Sequence, residues 1–325
     1  MNVLVTGGTG FLGRHMVTAL LEKGHTVSML VRSKSKINIP LDPKLTIWEG
    51  DITIPASITG LTENVDVVYH FAAQLGEWGI PDDLFYSVNI KGTQNLLDEC
   101  LKDSNPRFIL ISTPGVQGKG HKQAKESLPY NPPYIYEQTK CEAEKIVIEY
   151  NKLYGLSMGI VRPDFVYGPG DYRRISLYRA ILRKRFLIIG TGKFILHPTY
   201  VDDVIQGLLC IGQHQAGLNG IFNIAGPEQL TVEKFVETMA QIMGVATRKV
   251  RIPLPIGNVA ATIFEKISSF SGKPPFISRS KIEFLTQDHG SDISKAKNVL
   301  SFSPQYGFET GFRLTFNWAK QNNLL

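Results

Sequence analysis

Short apolar runs alternate with amphipathic stretches along the first half of the chain. Val3, Leu4 and Val5 form an unbroken apolar run, the pattern of a parallel strand buried on both faces. Phe11, Leu12, Met16, Val17, Leu20 and Leu21 then recur with the helical period. The same alternation predicts strands over 26–31, 45–48, 65–71, 107–112 and 157–162, and helices over 88–101 and 136–154. Strands alternating with helices place the strands in one parallel sheet, covered on both faces and joined by right-handed crossovers. The predicted class is α/β, doubly wound. After about Pro163 the rhythm breaks, and Pro253, Pro255, Pro274 and Pro275 punctuate the chain. A first domain is expected over 1–165, completed by segments near 195–225. A smaller, mostly C-terminal domain is expected over 166–194 and 226–325.

The turn after the first strand names the ligand class. Gly7, Gly10 and Gly13 fall at spacings of three between the strand and the amphipathic stretch. The first glycine allows a tight turn, the second lets a pyrophosphate approach the backbone, and the third lets helix and strand pack closely. Unpaired N–H groups at the helix start then face the phosphates. The sheet is therefore expected to be of the Rossmann type, with 1–165 the dinucleotide-binding domain and the remainder a substrate-binding domain. NAD sites usually end the second strand with a carboxylate for the adenine ribose. Here the chain reads Leu30-Val31-Arg32-Ser33-Lys34. Arg32 can meet a 2′-phosphate, so NADP is expected, with NAD the alternative. Asp51, after the third strand, is either an acceptor for the adenine amino group or a turn-forming aspartate.

Composition narrows the class without changing it. The 325 residues are 43% hydrophobic and 20% charged, ordinary for a globular protein with an ample core. The net charge of +6 is diffuse and does not by itself point to nucleic acid. Cys100, Cys141 and Cys210 are scattered, without metal-like pairing, which argues for a reducing compartment and against a disulfide framework. No metal site is expected. The chain opens directly on a strand and holds no apolar run of membrane-spanning length, so a cytoplasmic protein without a transmembrane segment is expected.

The candidate chemistry lies in the 136–154 helix. Tyr136 and Lys140 are four residues apart in YEQTK, on one helical face. A free tyrosine has a pKa near 10, and a neighbouring ammonium is expected to pull it down. Tyr136 would then exchange a proton with a substrate oxygen while hydride moves to or from a nicotinamide. Ser112 and Thr113 stand at the carboxyl end of the fifth strand, where such sheets bind ligands. A hydroxyl there can hydrogen-bond the reacting oxygen.

TGGTGFLG, GDIT, HFAA, VNIKGT, ISTPGVQG, YEQTK and VRPDFVYGPGD occur in order, and with them the chain resembles the extended short-chain dehydrogenases/reductases, a group that includes the NAD(P)-dependent epimerase/dehydratase superfamily. The resemblance covers nearly the whole chain. It implies a catalytic triad of Thr113, Tyr136 and Lys140. It implies cofactor contacts from Gly7, Gly10, Phe11, Leu12 and Gly13, with Tyr136 and Lys140 also at the nicotinamide end. It implies that Ala72 and Ala73 line the cofactor cleft, that Asn89 belongs to the cofactor site as a supporting residue, and that Pro163 and Val166 border the nicotinamide. It further implies homodimers formed through the tyrosine-bearing helix and its neighbour. His70 and His197 are read as structural histidines.

Within that group, nucleotide-sugar epimerases and dehydratases usually carry an asparagine where this chain has Phe165 and often an arginine where it has Leu196. VRPDFVYGPGD, HPTYVDDVIQG and the tail SDISKAKNVLSFSPQYGFETGF look instead like the 3β-hydroxysteroid dehydrogenase and dihydroflavonol reductase branch. The expected activity is hydride transfer between nicotinamide and a ring-bearing alcohol or ketone, a small-molecule substrate, with both apolar side chains favouring an apolar ring. The alternatives are a nucleotide-sugar epimerase/dehydratase, for which Arg173 or Arg174 would replace the missing arginine, and a non-catalytic NADP(H)-binding redox sensor. The basic stretch 172–185 reads as a solvated helix face, or else as a cationic wall or membrane-surface face. The stretch 258–270 reads as a lid or core helix.

Overall fold

Seven strands form one parallel sheet: β1 (Asn2–Thr6), β2 (Thr26–Val31), β3 (Leu45–Glu49), β4 (Val67–His70), β5 (Arg107–Ile111), β6 (Met158–Pro163) and β7 (Gly220–Ile224). They lie side by side in the order β7-β6-β5-β4-β1-β2-β3. The computed structural model describes residues 1–325 except 38, 41, 103–104, 247–249 and 276. β1 pairs with β2 on one side and β4 on the other. The strand order reverses there, so the carboxyl ends of β1 and β4 open a crevice.

Helices α1 (Phe11–Glu22), α2 (Gly92–Lys102), α3 (Ile135–Tyr154), α4 (Ile175–Leu182), α5 (Val201–Gln213), α6 (Val232–Ile242), α7 (Leu254–Ser271), α8 (Arg279–Thr286) and α9 (Phe308–Gln321) pack around and beyond the sheet. The unbroken apolar run of β1 serves both faces. Val3 and Val5 join Met16, Val17 and Leu20 of α1 and Leu208 and Ile211 of α5. Leu4, fully buried, joins Leu96 and Leu97 of α2 and Ala143 and Val147 of α3 on the other face. The first cluster continues into Phe235 of α6 and Phe308 and Phe312 of α9, each such burial contributing roughly 1.5–3 kcal/mol.

Chain leaving the carboxyl ends of β5 and β6 forms small ladders with later segments. His121–Ala124 pairs with His289–Ser291, and Val166–Tyr167 pairs with Thr199–Tyr200. Ile188–Ile189 pairs with Arg251–Ile252, and Ile195–Leu196 pairs with Leu230–Thr231. One predicted element differs. The helix expected over 88–101 begins at Gly92 and is preceded by a wide, π-type turn, Tyr86–Lys91. Such a turn admits an extra residue into the helix, and it recurs at functional sites.

Candidate active site

The glycine turn is built by close approach. Gly7 has φ +69, and a Cβ on it would come within 2.7 Å of the Ala72 nitrogen, so the turn lies against the chain leaving β4. A Cβ on Gly13 would collide with the Gly7 carbonyl. Gly10 opens α1 without a side-chain cap, and the first turn carries no acidic residue. Uncapped N–H groups beside a side-chain-free turn fit the pyrophosphate of a dinucleotide. Phe11 and Leu12 follow, half-buried. Two residues unremarked in the sequence tie α1 to the chain after β6: His15 Nε2 donates to the Pro169 carbonyl at 2.8 Å, and Arg14 donates to that of Gly170 at 3.3 Å.

Arg32 stands exposed just past β2, with no carboxylate in that turn. Asp51 Oδ1 accepts from both the amide and the hydroxyl of Thr53, each at 2.8 Å. That is the turn-forming geometry. Ala72 and Ala73 are half-buried beside the glycine turn, and Pro163 and Val166 are half-buried at and beyond the carboxyl end of β6.

A buried polar chain joins the glycine turn to the tyrosine helix. Thr93 has one hydroxyl proton and donates it to the Asn89 carbonyl at 2.7 Å. It therefore accepts from His70 Nε2 at 3.0 Å, which leaves His70 Nδ1 to accept from the Thr6 hydroxyl at 2.7 Å. Thr6 in turn accepts from the Ala72 amide at 3.2 Å. Burial, with Lys140 nearby, holds His70 down at about 3, so the imidazole stays neutral. Asn89 accepts from the Gln74 amide at 2.7 Å and donates to the Gln74 carbonyl at 3.1 Å and to Thr139 Oγ1 at 2.9 Å. Its amide is thus spent inside the protein and supports the site from behind. Thr139 closes the chain on the Ile135 and Tyr136 carbonyls.

Tyr136 opens α3 beside the turn that follows β5. Thr113 Oγ1 accepts from the Gly115 amide at 3.2 Å, a bond that leaves its own proton uncommitted. A Cβ on Gly115 would lie 2.7 Å from Glu137 Cγ, so the missing side chain admits Glu137. Burial pushes Tyr136 up to about 12, the Glu137 carboxylate adds to the rise and Arg173 opposes it. The expected lowering by Lys140 is absent, and the opposing cation is Arg173. Lys140 is fully buried and pushed down to about 8 by desolvation, a fall that the Glu144 carboxylate, one turn further along α3, opposes. Ser112 is likewise committed, donating to Glu144. Glu144 also accepts from Tyr130 at 2.9 Å and from Arg162 Nε at 2.9 Å and its terminal nitrogen at 2.6 Å.

The substrate side corrects one expectation. Leu196 is fully buried and cannot touch a substrate ring. Phe165 lies in an aromatic group, stacked on Phe284 at 5.4 Å and edge-on to Phe235 at 5.2 Å. Arg174 covers the Phe165 ring at 3.9 Å and donates to the Val166 carbonyl at 2.8 Å. It is also paired with Asp171 at 2.9 Å, so its charge is spent structurally. Arg173 is exposed and reaches the Gly76 carbonyl at 3.4 Å, beside Tyr136. His197 is structural: Nε2 donates to the Gly226 carbonyl at 2.9 Å and Nδ1 accepts from the Ser291 amide at 3.4 Å.

Asp164 was unremarked in the sequence. Ser291 donates to it at 2.6 Å, and burial nevertheless pushes its carboxyl up to about 7. An unfolded aspartate ionises near pH 4. Between about pH 4 and pH 7 the folded state therefore binds more protons than the unfolded one, and stability falls as pH rises through that window. Asp164→Asn should flatten this part of the pH dependence, read as urea midpoints at about pH 5 and pH 8. An unchanged pH dependence in the variant would contradict the assignment.

A model of the NAD dependent epimerase/dehydratase family matches residues 3–225. The chain is 28% identical over 321 residues to a 3 beta-hydroxysteroid dehydrogenase/Delta 5→4-isomerase of Mycobacterium tuberculosis, covering 94% of this chain and 86% of that protein. Its structure is similar to that of a UDP-glucose 4-epimerase from Thermotoga maritima solved with UDP-glucose, with TM-score 0.81, 25% identity and coverage of 99% and 100% of the two chains. It is also similar to a UDP-glucuronic acid 4-epimerase from Bacillus cereus in complex with UDP-glucuronic acid and NAD, with TM-score 0.80, 26% identity and coverage of 99% and 100%. The family match spans the glycine turn, Thr113, Tyr136 and Lys140, and the chain belongs to the NAD dependent epimerase/dehydratase family, as an NAD(P)-dependent enzyme of the extended short-chain dehydrogenase/reductase type.

Proposed function

We propose that the protein transfers hydride between a nicotinamide cofactor and a ring-bearing, largely uncharged alcohol or ketone. One observation carries the reading: Tyr136 opens α3 beside the Thr113–Gly115 turn at the carboxyl end of β5, with Lys140 one helical turn inward. The nicotinamide, when bound, supplies or accepts the hydride. Thr113 orients the reacting oxygen with its uncommitted proton. Tyr136, kept in the phenol form by burial and Glu137, gives its proton to that oxygen in reduction and takes it back in oxidation. Gly7, Gly10, Phe11, Leu12 and Gly13 bind the pyrophosphate side, Ala72 and Ala73 line the cleft, and Pro163 and Val166 border the nicotinamide. The similarity to a hydroxysteroid dehydrogenase supports the ring-bearing class.

NADP(H) should bind more tightly than NAD(H), because Arg32 rather than a carboxylate follows β2. Calorimetric titration of each cofactor tests this, with Arg32→Ala expected to narrow the difference. Equal or tighter NAD(H) binding, with no effect of Arg32→Ala, would remove Arg32 as the phosphate reader.

Nucleotide-sugar epimerisation is the second reading, favoured by exposed Arg173 beside Gly76 and Tyr136, where a phosphate could be met. The domain division at about 165, a homodimer through α2 and α3, and a cytoplasmic location belong to the same proposal.

A further inference from the structure

Helix α7 is not the core helix its sequence suggested, since it buries only Gly257, Ala261 and Ser268. Ala261 packs with Ile282 of α8 and with Ile189, so α7 backs α8. It is α8 that reaches the candidate site. Its Glu283 accepts from two donors far away in sequence, Lys119 Nζ and the Tyr134 hydroxyl.

Each donor belongs to one of the two segments that carry the proposed chemistry. Thr113 caps the turn Pro114–Gln117, and Lys119 stands two residues beyond that turn. Tyr134 is the N-cap of α3, two residues before Tyr136. The Tyr134 carbonyl accepts from the Gln138 amide at 2.8 Å, which begins the hydrogen bonding of that helix. Lys119 Nζ also lies 4.2 Å from the centre of the Tyr134 ring, a cation–π contact that adds to the cluster. One carboxylate thus joins the Thr113 segment to the start of the tyrosine helix. The next residue of α8, Phe284, stacks on Phe165 at 5.4 Å. Phe165 follows the carboxyl end of β6 at Pro163. Adjacent residues of α8 therefore hold that aromatic group and the start of α3 at a fixed separation.

Magnitudes separate two roles for such a cluster. An isolated, partly exposed ion pair contributes little to stability, and Glu283 is 39% exposed, although Lys119 is only 15% exposed. Placement is far more sensitive, since a misplacement of about 1 Å among reacting groups can cost about 10² in rate. We propose that Glu283 is a positioning residue: through Tyr134 and Lys119 it holds Tyr136 and Thr113 in register with each other and with the Phe165–Phe284 stack. The inference rests on the reading of Tyr136 as the proton carrier.

Glu283→Ala is expected to lower kcat for a cyclic ketone about 10- to 100-fold, at unchanged NADPH affinity and urea midpoint. Tyr134→Phe should act in the same direction. The double variant should be little worse than Glu283→Ala alone, because both changes break one contact. Glu283→Gln keeps an acceptor oxygen and should recover part of the loss. Hydrogen exchange of the full chain with NADPH reads the same contact without turnover. The Gln138 amide should exchange at least about threefold faster in Glu283→Ala, with the amides of β1 and β5 unchanged. Unchanged exchange at Gln138 would overturn the proposal whether or not a ketone is turned over. So would an unchanged kcat in Glu283→Ala, or effects of the two single changes that simply multiply. A fall in NADPH affinity and urea midpoint that matches the fall in kcat would also overturn it and make the cluster merely structural. Faster exchange at Gln138 in a protein that turns over no ketone would retire the hydride reading alone. The same loss of kcat is then expected in UDP-glucose interconversion, and its absence there would overturn the positioning role as well.

Discussion

Replacing Arg162 with Met is expected to destabilise the protein by about 3–5 kcal/mol, because it strands a buried carboxylate. Arg162 is 1% exposed and Glu144 0%. The guanidinium supplies two of the hydrogen bonds that Glu144 accepts, at 2.9 and 2.6 Å. Without it Glu144 keeps Ser112 and Tyr130 but loses its nearest full charge. The pair is not itself a large net source of stability, since taking both charges from water offsets most of their attraction. The cost comes from breaking it one side at a time. Arg162→Met combined with Glu144→Gln should therefore cost less than the sum of the two single changes, a coupling that a double-mutant cycle in urea reads directly. A loss below about 1 kcal/mol for Arg162→Met would mean that water reaches Glu144 and the pair is not structural.

Tyr136→Phe is expected to lower turnover by about 10² to 10⁴ while leaving cofactor affinity nearly unchanged. The substitution removes one hydroxyl and little packing, and the glycine turn is untouched. Because burial and Glu137 hold the phenol up at about 12, it stays protonated across the neutral range. Carbonyl reduction should thus stay nearly flat with pH until the alkaline side, whereas alcohol oxidation should rise with pH. Retention of most activity in the variant would assign the proton transfer to another group, with Thr113 the next candidate.

The strand, glycine turn and helix at the start of the chain were legible because each signal is local: an apolar run, three glycines and a helical period. The tyrosine and lysine were legible for the same reason, but their consequence was not. Sharing a helical face does not fix what acts on the phenol: burial and Glu137 push Tyr136 up, and the cation that opposes the rise is Arg173. Leu196 misled because a side chain in a two-residue ladder faces cleft or core according to register, which position alone does not give. Arg162 was a missed signal, a charged residue in the apolar run GIVRP, where burial demands a partner. The wide turn at Tyr86–Lys91 and the chain from Thr6 through His70 to Thr139 left no comparable mark. Their residues meet only after β1, β4, α2 and α3 have come together.

The central claim is net hydride transfer with Tyr136 as the proton carrier. It is tested most directly by following nicotinamide absorbance when the protein is mixed with NADPH and a series of cyclic ketones, in parallel with UDP-glucose and UDP-glucuronate plus oxidised cofactor, with the sugar products analysed. The account predicts stoichiometric NADPH oxidation with at least one ketone, lost in Tyr136→Phe at unchanged NADPH affinity. Interconversion of the UDP-sugars with no net change in the nicotinamide, and no turnover of any ketone, would contradict it and make the protein an epimerase.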